Sequence, residues 1–411
     1  MTDGNRSRAG VLAACTIGTM VSMTPAVHSV FGTFLVPLST EFGWPRAAVS
    51  VVLTIMAVTG AVVYPLAGRA ADLRGPRVLL IPALGAYGMC LTLLALTDGA
   101  LWQFYATFFL VSLFGSVAST PIYSRVVAEW FHRGRGTALG ICAGFGNGAG
   151  SVLFPAVAAA AIGGYGWRAG YVAVGALVLL LGLPALLLML PGGAPRRAAA
   201  GCGSAAAEGM SLAEAARLPH FWLVMLAVAC AAGCLTAIFS HVVPILIERG
   251  YGIQTATAVL STFALTTSAW QVASGRLLDR VQTPRVVPPM VALAIVGLAI
   301  LEFADGAPAL IAGGMCLGIG MGAQYGALPY FIARYFGTRS FGTIIGIMYS
   351  AVILAQGVTP VLLDHGFDVQ GSYRMAVVAA CAALAGSALS LLLLPPYPGD
   401  ETEPRLSSAL A

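Results

Sequence analysis

The sequence predicts an all-α polytopic membrane protein with twelve transmembrane helices in two pseudo-symmetric six-helix bundles. Three observations carry this. Of 411 residues, 58% are hydrophobic and 9% charged, far less charge than a soluble chain of this length needs. Apolar stretches of about 20 residues, enough to cross ~30 Å of hydrocarbon as a helix, recur along nearly the whole chain. They do not alternate as the strands of a membrane β-barrel would. Finally, a short basic turn, Gly68-Arg69-Ala70-Ala71-Asp72-Leu73-Arg74-Gly75-Pro76-Arg77, returns as Gly275-Arg276-Leu277-Leu278-Asp279-Arg280 through to Arg285, with Asp72 and Asp279 207 positions apart.

Taken in order, the spans are expected over roughly 11–38, 46–67, 78–97, 101–124, 137–162, 168–190, 219–246, 256–277, 286–304, 308–333, 342–363 and 373–394. Arg6 and Arg8 ahead of the first run resemble a signal peptide, but the run continues to about Leu38, too long for a cleaved signal. Residues 191–217, with Pro191, Pro195, Arg196, Arg197 and a small-residue run to Ala207, read as a linker, and Ser211 to Ala215 as the start of a short surface helix. This divides the chain into an N-terminal bundle (1–190), the linker (191–217), a C-terminal bundle (218–398) and a tail (399–411). The halves match in register: Pro37 with Pro244, Phe131 with Phe336, and Trp167-Arg168 with Tyr373-Arg374, at offsets of 207, 205 and 206. Such a duplicated unit in one orientation implies halves related by an axis along the membrane normal.

All 21 basic residues are arginine. With twelve spans, 17 fall in or beside segments on one side, and four, Arg46, Arg168, Arg249 and Arg374, are left for the other. The positive-inside rule then puts both termini in the cytoplasm. The net charge of +5 is spent on topology and implies no nucleic-acid partner. The eight cysteines show no zinc or redox spacing and read as small packing residues. Neither a metal nor another cofactor is expected, nor an enzyme, since no nucleophile–base spacing occurs. No dimerisation feature stands out, so a monomer in the lipid bilayer is expected.

The two basic turns after spans two and eight, within two sets of six, closely resemble the major facilitator superfamily over about 15–395. More narrowly, Phe31-Gly32 leading to Pro37-Leu38, Glu41 to Ala47 with Ser50, Trp130-Phe131 with Arg133 to Gly140, Gly166-Trp167-Arg168, and Arg334 to Gly337 resemble its bacterial monocarboxylate-transporter-like branch. The resemblance implies a bacterial inner-membrane secondary transporter, with a small-molecule substrate and a proton as partners. It also implies that the basic turn latches the outward-open state, making Arg69, Asp72, Arg77, Arg276, Asp279 and Arg285 gating residues. The residues themselves allow the same role. Asp72 sits where helix ends gather and can accept from a helix N-terminus or pair with arginine. The plainer alternative is topogenic charge plus a turn.

His28 is the foremost chemical candidate. It lies nine residues before Pro37, about 13 Å below the outer end of span one. An ionisable group at that depth faces a cavity or a partner, and histidine can exchange a proton near neutral pH. Protonated, it would bind an anionic substrate and couple it to a proton. The alternative is a neutral ring bonded to a backbone carbonyl. Tyr123 is a further candidate for the substrate, and Arg125, about opposite it on the helical wheel at the inner end of span four, can meet a substrate anion or pair with Asp72 or Glu129. Span five carries Gly140, Gly144 and Gly148 for close packing or for a rocking contact between the halves. Asn147 lies beside Gly148 where drug exporters of the superfamily carry a glycine–proline pair, which weighs against an exporter. Span eight offers Thr267, Gln271 and Ser274 on one face, with Trp270 beside them. Gln271 stands four residues before Gly275, where monocarboxylate transporters typically carry an arginine, and this departure argues against a simple monocarboxylate such as lactate. Gln324, Tyr325, Tyr349 and Gln356 complete a cavity lining from spans ten and eleven. The expected function is transport of a small organic anion, monocarboxylate-like or aromatic, by proton-coupled symport. The alternative is uptake or efflux of a neutral or aromatic solute such as a metabolite, vitamin or drug.

Overall fold

The computed structural model describes residues 3–190, 209–370 and 372–397, and these are helical nearly throughout. Residues 191–208 of the expected linker (191–217) and the tail over 399–411 lie outside the described residues. Among the described residues, ten segments are long and apolar enough to cross a membrane. One of them, Arg135–Met189, is 55 residues long and holds two spans, five and six, which part at Gly166, where φ is +83°. Span eight, Ile253–Val281, completes the twelve. It falls outside the apolar ten because its polar face lowers its hydropathy, and it is covered by spans five and ten instead of by lipid alone.

Spans two, Arg46–Arg74, and three, Pro76–Leu93, meet at Gly75 in the first basic turn. The second basic turn joins span eight to span nine, Val287–Phe303. Spans seven, Pro219–Glu248, ten, Ala307–Tyr335, eleven, Phe341–Gln370, and twelve, Arg374–Leu392, complete the second bundle.

Two spans drawn as continuous from sequence are interrupted. Span one runs as Asp3–Met20, a π turn over Thr24–His28, and Phe31–Phe42. Span four runs as Leu101–Val117 and Thr120–Trp130. Proline has no N–H, so neither Pro25 nor Pro121 can donate the helical hydrogen bond to the carbonyl four residues earlier. In span four the chain responds by swinging Ser119 to an extended conformation, φ −125° and ψ 166°. Ser112 and Ser116 therefore lie in one helical segment of span four and Tyr123 in the next. Span one also extends to Phe42, so His28 lies about 21 Å from its outer end, deeper than the sequence suggested.

Ion pairs tie each bundle at the end opposite the basic turns. Trp167 Nε1 donates to Glu41, while Arg168 Nη1 donates to Glu41 Oε1 at 2.6 Å and its Nη2 to the Thr97 carbonyl at 3.3 Å. In the other bundle Arg374 reaches Glu302 at 3.7 Å, and Arg249 bonds the carbonyls of Leu301 and Ala304 at the end of span nine. The repeated aromatic–arginine pair thus holds the sixth span of each bundle to its neighbours.

Candidate functional site: two crossed latches

The first turn of any helix presents amides with no intrahelical acceptor, which a capping side chain normally takes. Span five begins after Gly134, which has no side chain to cap it, and its free Gly136 and Thr137 amides point at the opposite bundle. Asp279 accepts both, Gly136 N–H at 2.7 Å and Thr137 N–H at 2.7 Å, and also the Thr137 hydroxyl at 2.8 Å. Span eleven repeats this with Asp72, which accepts the Gly342 and Thr343 amides at 3.0 and 2.8 Å and the Thr343 hydroxyl at 2.8 Å. A carboxylate at a helix N-terminus is favoured further by the helix dipole. Each bundle therefore caps a helix of the other.

The latches need the backbones to touch. A Cβ on Gly68 would collide with the Gly342 carbonyl, and one on Gly275 with the Gly136 carbonyl. Further along the interface, Gly140 and Gly144 of span five lie against Gln271, and Gly148 lies against Ser268. Gly346 lies against Tyr64, and Ser350 Oγ donates to the Ala61 carbonyl at 2.7 Å. The glycine row of span five is thus a close contact between the two halves.

Arg125 completes the first latch. Its Nε donates to Asp72 Oδ1 at 2.8 Å and its Nη1 reaches Glu129 at 3.4 Å. Arg77 binds the carbonyls of Leu187 and Leu190 at the end of span six, while Arg69, Arg276 and Arg285 are exposed. Of the six residues expected to gate, the two aspartates hold the interface and Arg77 ties down a helix end.

The remaining candidates separate into open and packed groups. The His28 side chain is exposed and lies about 21 Å from the outer end of span one. Its Nδ1 lies 3.3 Å from the Met23 carbonyl. A carbonyl only accepts, so this contact places the proton on Nδ1 and leaves the Nε2 lone pair free. Asn147 sits between the two interrupted spans: Ser22 Oγ approaches its Oδ1 at 3.4 Å, and its Nδ2 donates to the Ala143 carbonyl at 2.9 Å and reaches Thr120 Oγ1 at 3.5 Å. Tyr349 meets Tyr64 across the halves, edge to face with ring centroids 6.4 Å apart. Gln356 Nε2 bonds the Tyr325 hydroxyl and Thr236 Oγ1, the latter at 3.1 Å, linking spans seven, ten and eleven.

Tyr123 is packed inside the N-terminal bundle beneath Gly18. Gln271 and Gln324 are buried; Gln271 Oε1 and both Gln324 amide atoms lack a partner. Trp270 donates to Met290 Sδ at 3.3 Å, towards span nine. Thr267 and Ser274 bond their own helix backbone.

The sequence reading offered Asp72 a helix N-terminus and Arg125 as partners, and both are present, but it did not identify which helix starts the aspartates cap. The signal was present, because Gly136-Thr137 and Gly342-Thr343 repeat at an offset of 206 at the starts of spans five and eleven. Tyr64 and Thr236 were missed too, and nothing in the sequence sets them apart from other small polar or aromatic residues in membrane helices.

Comparison with known proteins agrees with this architecture. The chain is 26% identical over 393 residues to an uncharacterized 38 kDa protein in the 23S RNA operon of Thermoproteus tenax, covering 93% of this chain and 95% of that protein. It is 26% identical over 266 residues to human monocarboxylate transporter 11, covering 61% of this chain and 55% of the relative. Crystal structures of the fucose:proton symporter FucP superpose with TM-scores of 0.69, for the E. coli protein, and 0.68, for an outward conformation. Sequence identities are 18% and 17%, with 93% and 94% of this chain covered and 97% of each FucP chain, a likeness of fold. A profile of the Major Facilitator Superfamily matches residues 12–360 and 254–409. With two six-helix bundles crossed by paired latches, the chain belongs to the Major Facilitator Superfamily, a family of transporters and not of enzymes.

Proposed function

We propose that this protein is a proton-coupled secondary transporter that carries a small organic anion, monocarboxylate-like or aromatic, across a bacterial inner membrane by alternating access. The basic end is the cytoplasmic one, so both termini are cytoplasmic, and the latched state opens outward. The observation that carries the reading is His28, an exposed ionisable side chain about 21 Å from the outer end of span one. Its free Nε2 takes a proton from the outer solution, and the resulting imidazolium attracts the anion. Release follows when the latches part and the site meets the more alkaline cytoplasm. Asn147, beside the breaks in spans one and four, supplies amide contacts to the same solute. Arg125 belongs to the gate in this scheme, its charge being neutralised by Asp72 and Glu129. Human monocarboxylate transporter 11 and the fucose:proton symporter support the substrate class and the coupling respectively.

A second reading rests on a separate observation. The Tyr64–Tyr349 pair and the Tyr325–Gln356–Thr236 network offer ring faces and neutral donors suited to an uncharged aromatic solute. Proteoliposomes loaded at alkaline pH and diluted into acid buffer separate the two. Accumulation of labelled carboxylates that collapses in His28→Ala supports the anion symporter. Accumulation of a neutral aromatic, indifferent to His28→Ala but reduced in Gln356→Ala, replaces it with the second reading.

A further inference from the structure

The segment leading into span seven is tied to the gate. Gly209 forms an isolated antiparallel bridge with Gly337, and the Met210 amide donates to the Phe336 carbonyl at 2.9 Å. Only glycine fits at 209. Its φ is +140°, and a Cβ there would lie 2.5 Å from the Phe336 carbonyl oxygen and 3.0 Å from Gly337 Cα. One helical turn follows, Leu212–Ala215, closed by a reciprocal capping box. In it Ser211 N–H donates to Glu214 Oε2 at 2.6 Å and Glu214 N–H to Ser211 Oγ at 3.3 Å. Ala215 is fully buried, Trp222 Nε1 donates to the Ala216 carbonyl at 2.9 Å, and Glu214 comes within 4.0 Å of Arg339.

The place these contacts grip gives them meaning. Phe336, Gly337 and Arg339 lie between the end of span ten at Tyr335 and the start of span eleven at Phe341. The next two residues, Gly342 and Thr343, carry the amides held by Asp72. His220, in the first turn of span seven, stacks on Phe336 with centroids 5.3 Å apart. We infer that the strap Gly209–Leu218 positions the N-terminus of span eleven for Asp72, so that Met210 and Glu214 are positioning residues of one latch. The residues ahead of the other latch are held locally, by Arg135 Nε donating to the Phe131 carbonyl at 2.9 Å. The strap therefore makes one of two latches of the same hydrogen-bond geometry depend on the chain that joins the bundles.

This inference rests on reading the latches as a gate that opens. Its test uses no substrate, so its failure leaves the uptake result standing. Hydrogen exchange is measured on the full chain in lipid nanodiscs for wild type, Met210→Pro, Glu214→Ala and Glu214→Gln. Met210→Pro removes the donor of the bridge, and the Gly342 and Thr343 amides are expected to exchange about two- to tenfold faster, the range for loss of one net hydrogen bond. Glu214→Ala gives a smaller rise, which Glu214→Gln abolishes because an amide still closes the capping box. Gly136 and Thr137 change less than Gly342 and Thr343 in every variant. Unchanged exchange at Gly342 and Thr343 overturns the inference, as does equal acceleration at both latches. If Met210→Pro disturbs folding, spans three and nine accelerate as well, and the surface variant Glu214→Ala then decides by the same comparison.

Discussion

Asp72 and Asp279 each take two helix-terminal amides and a threonine hydroxyl from the opposite bundle, but they sit in different surroundings. Asp72 is 7% exposed and takes a further bond from Arg125, whereas Asp279 is half-buried. The position 206 residues after Arg125 is Phe331, fully buried in the second bundle. A carboxylate withdrawn from water needs a counter-charge as well as hydrogen bonds, and one that keeps some water does not. The duplicated fold thus uses one hydrogen-bond geometry with two electrostatic solutions. Only the first makes the latch part of a buried charge cluster with Glu129.

The largest expected effect follows from that difference. Asp72→Ala leaves the Arg125 guanidinium buried with Glu129 at 3.4 Å as its remaining partner, a loss of about 3–5 kcal/mol by analogy with broken buried pairs. Asp279→Ala frees three donors near water and costs about 1–3 kcal/mol. Thermal unfolding in one detergent compares them, and equal drops in Tm would remove the asymmetry. Adding Arg125→Leu to Asp72→Ala should recover part of the loss, since an apolar residue already serves at Phe331.

The glycine contacts should behave alike on the two sides, which isolates the charge cluster as the source of the difference. Gly68→Ala and Gly275→Ala each drive a methyl into the facing glycine carbonyl, an overpacking penalty of about 1–3 kcal/mol. Exchange of the Thr343 and Thr137 amides should rise by similar factors. A response confined to one side would mean that the two interfaces are not equivalent in packing.

Smaller again are Thr137→Ala and Thr343→Ala, which remove one hydroxyl bond each, about 1 kcal/mol. Their combination asks whether the latches open together. Distant independent sites add to within about 0.5 kcal/mol. A larger coupling between these two threonines, measured by unfolding, would mean that the bundles part as rigid bodies.

How much of this was legible follows from the length scale of each signal. Span lengths, the duplication and the two aspartates are set by hydrocarbon thickness and by recurring dipeptides, so they can be read along the chain. The partners of the aspartates were equally legible as repeated Gly-Thr pairs, but their meaning depends on helix ends that meet only in three dimensions. The breaks at Ser22 and Ser119 were written in Thr24-Pro25 and Thr120-Pro121, yet proline is tolerated within membrane helices, as at Pro37, Pro65 and Pro155, so its presence does not locate a break. Gln271 shows the remaining limit. The same polar stripe suits a cavity wall or a helix interface, and here it lies under Gly144 of the other bundle.

The strap offers the finest test of the contrast, because pH can probe it without a mutation in either latch. The Ser211 amide, then the Ser211 hydroxyl, stabilise the ionised Glu214 carboxylate and hold its pKa below the ordinary 4.5. A pKa depressed in the folded state contributes stability that is complete above the unfolded value and fades as pH falls through the folded one. Protection of the Met210 amide, corrected for intrinsic exchange, should therefore stay constant from neutral pH to 4.5 and weaken only below it. In Glu214→Gln that acid loss should vanish. The Asp279 side provides the internal control: its neighbours Gly136 and Thr137 make no contact with the capping box, so an acid response of equal size there would trace the change to the carboxylates of the latches and not to the strap.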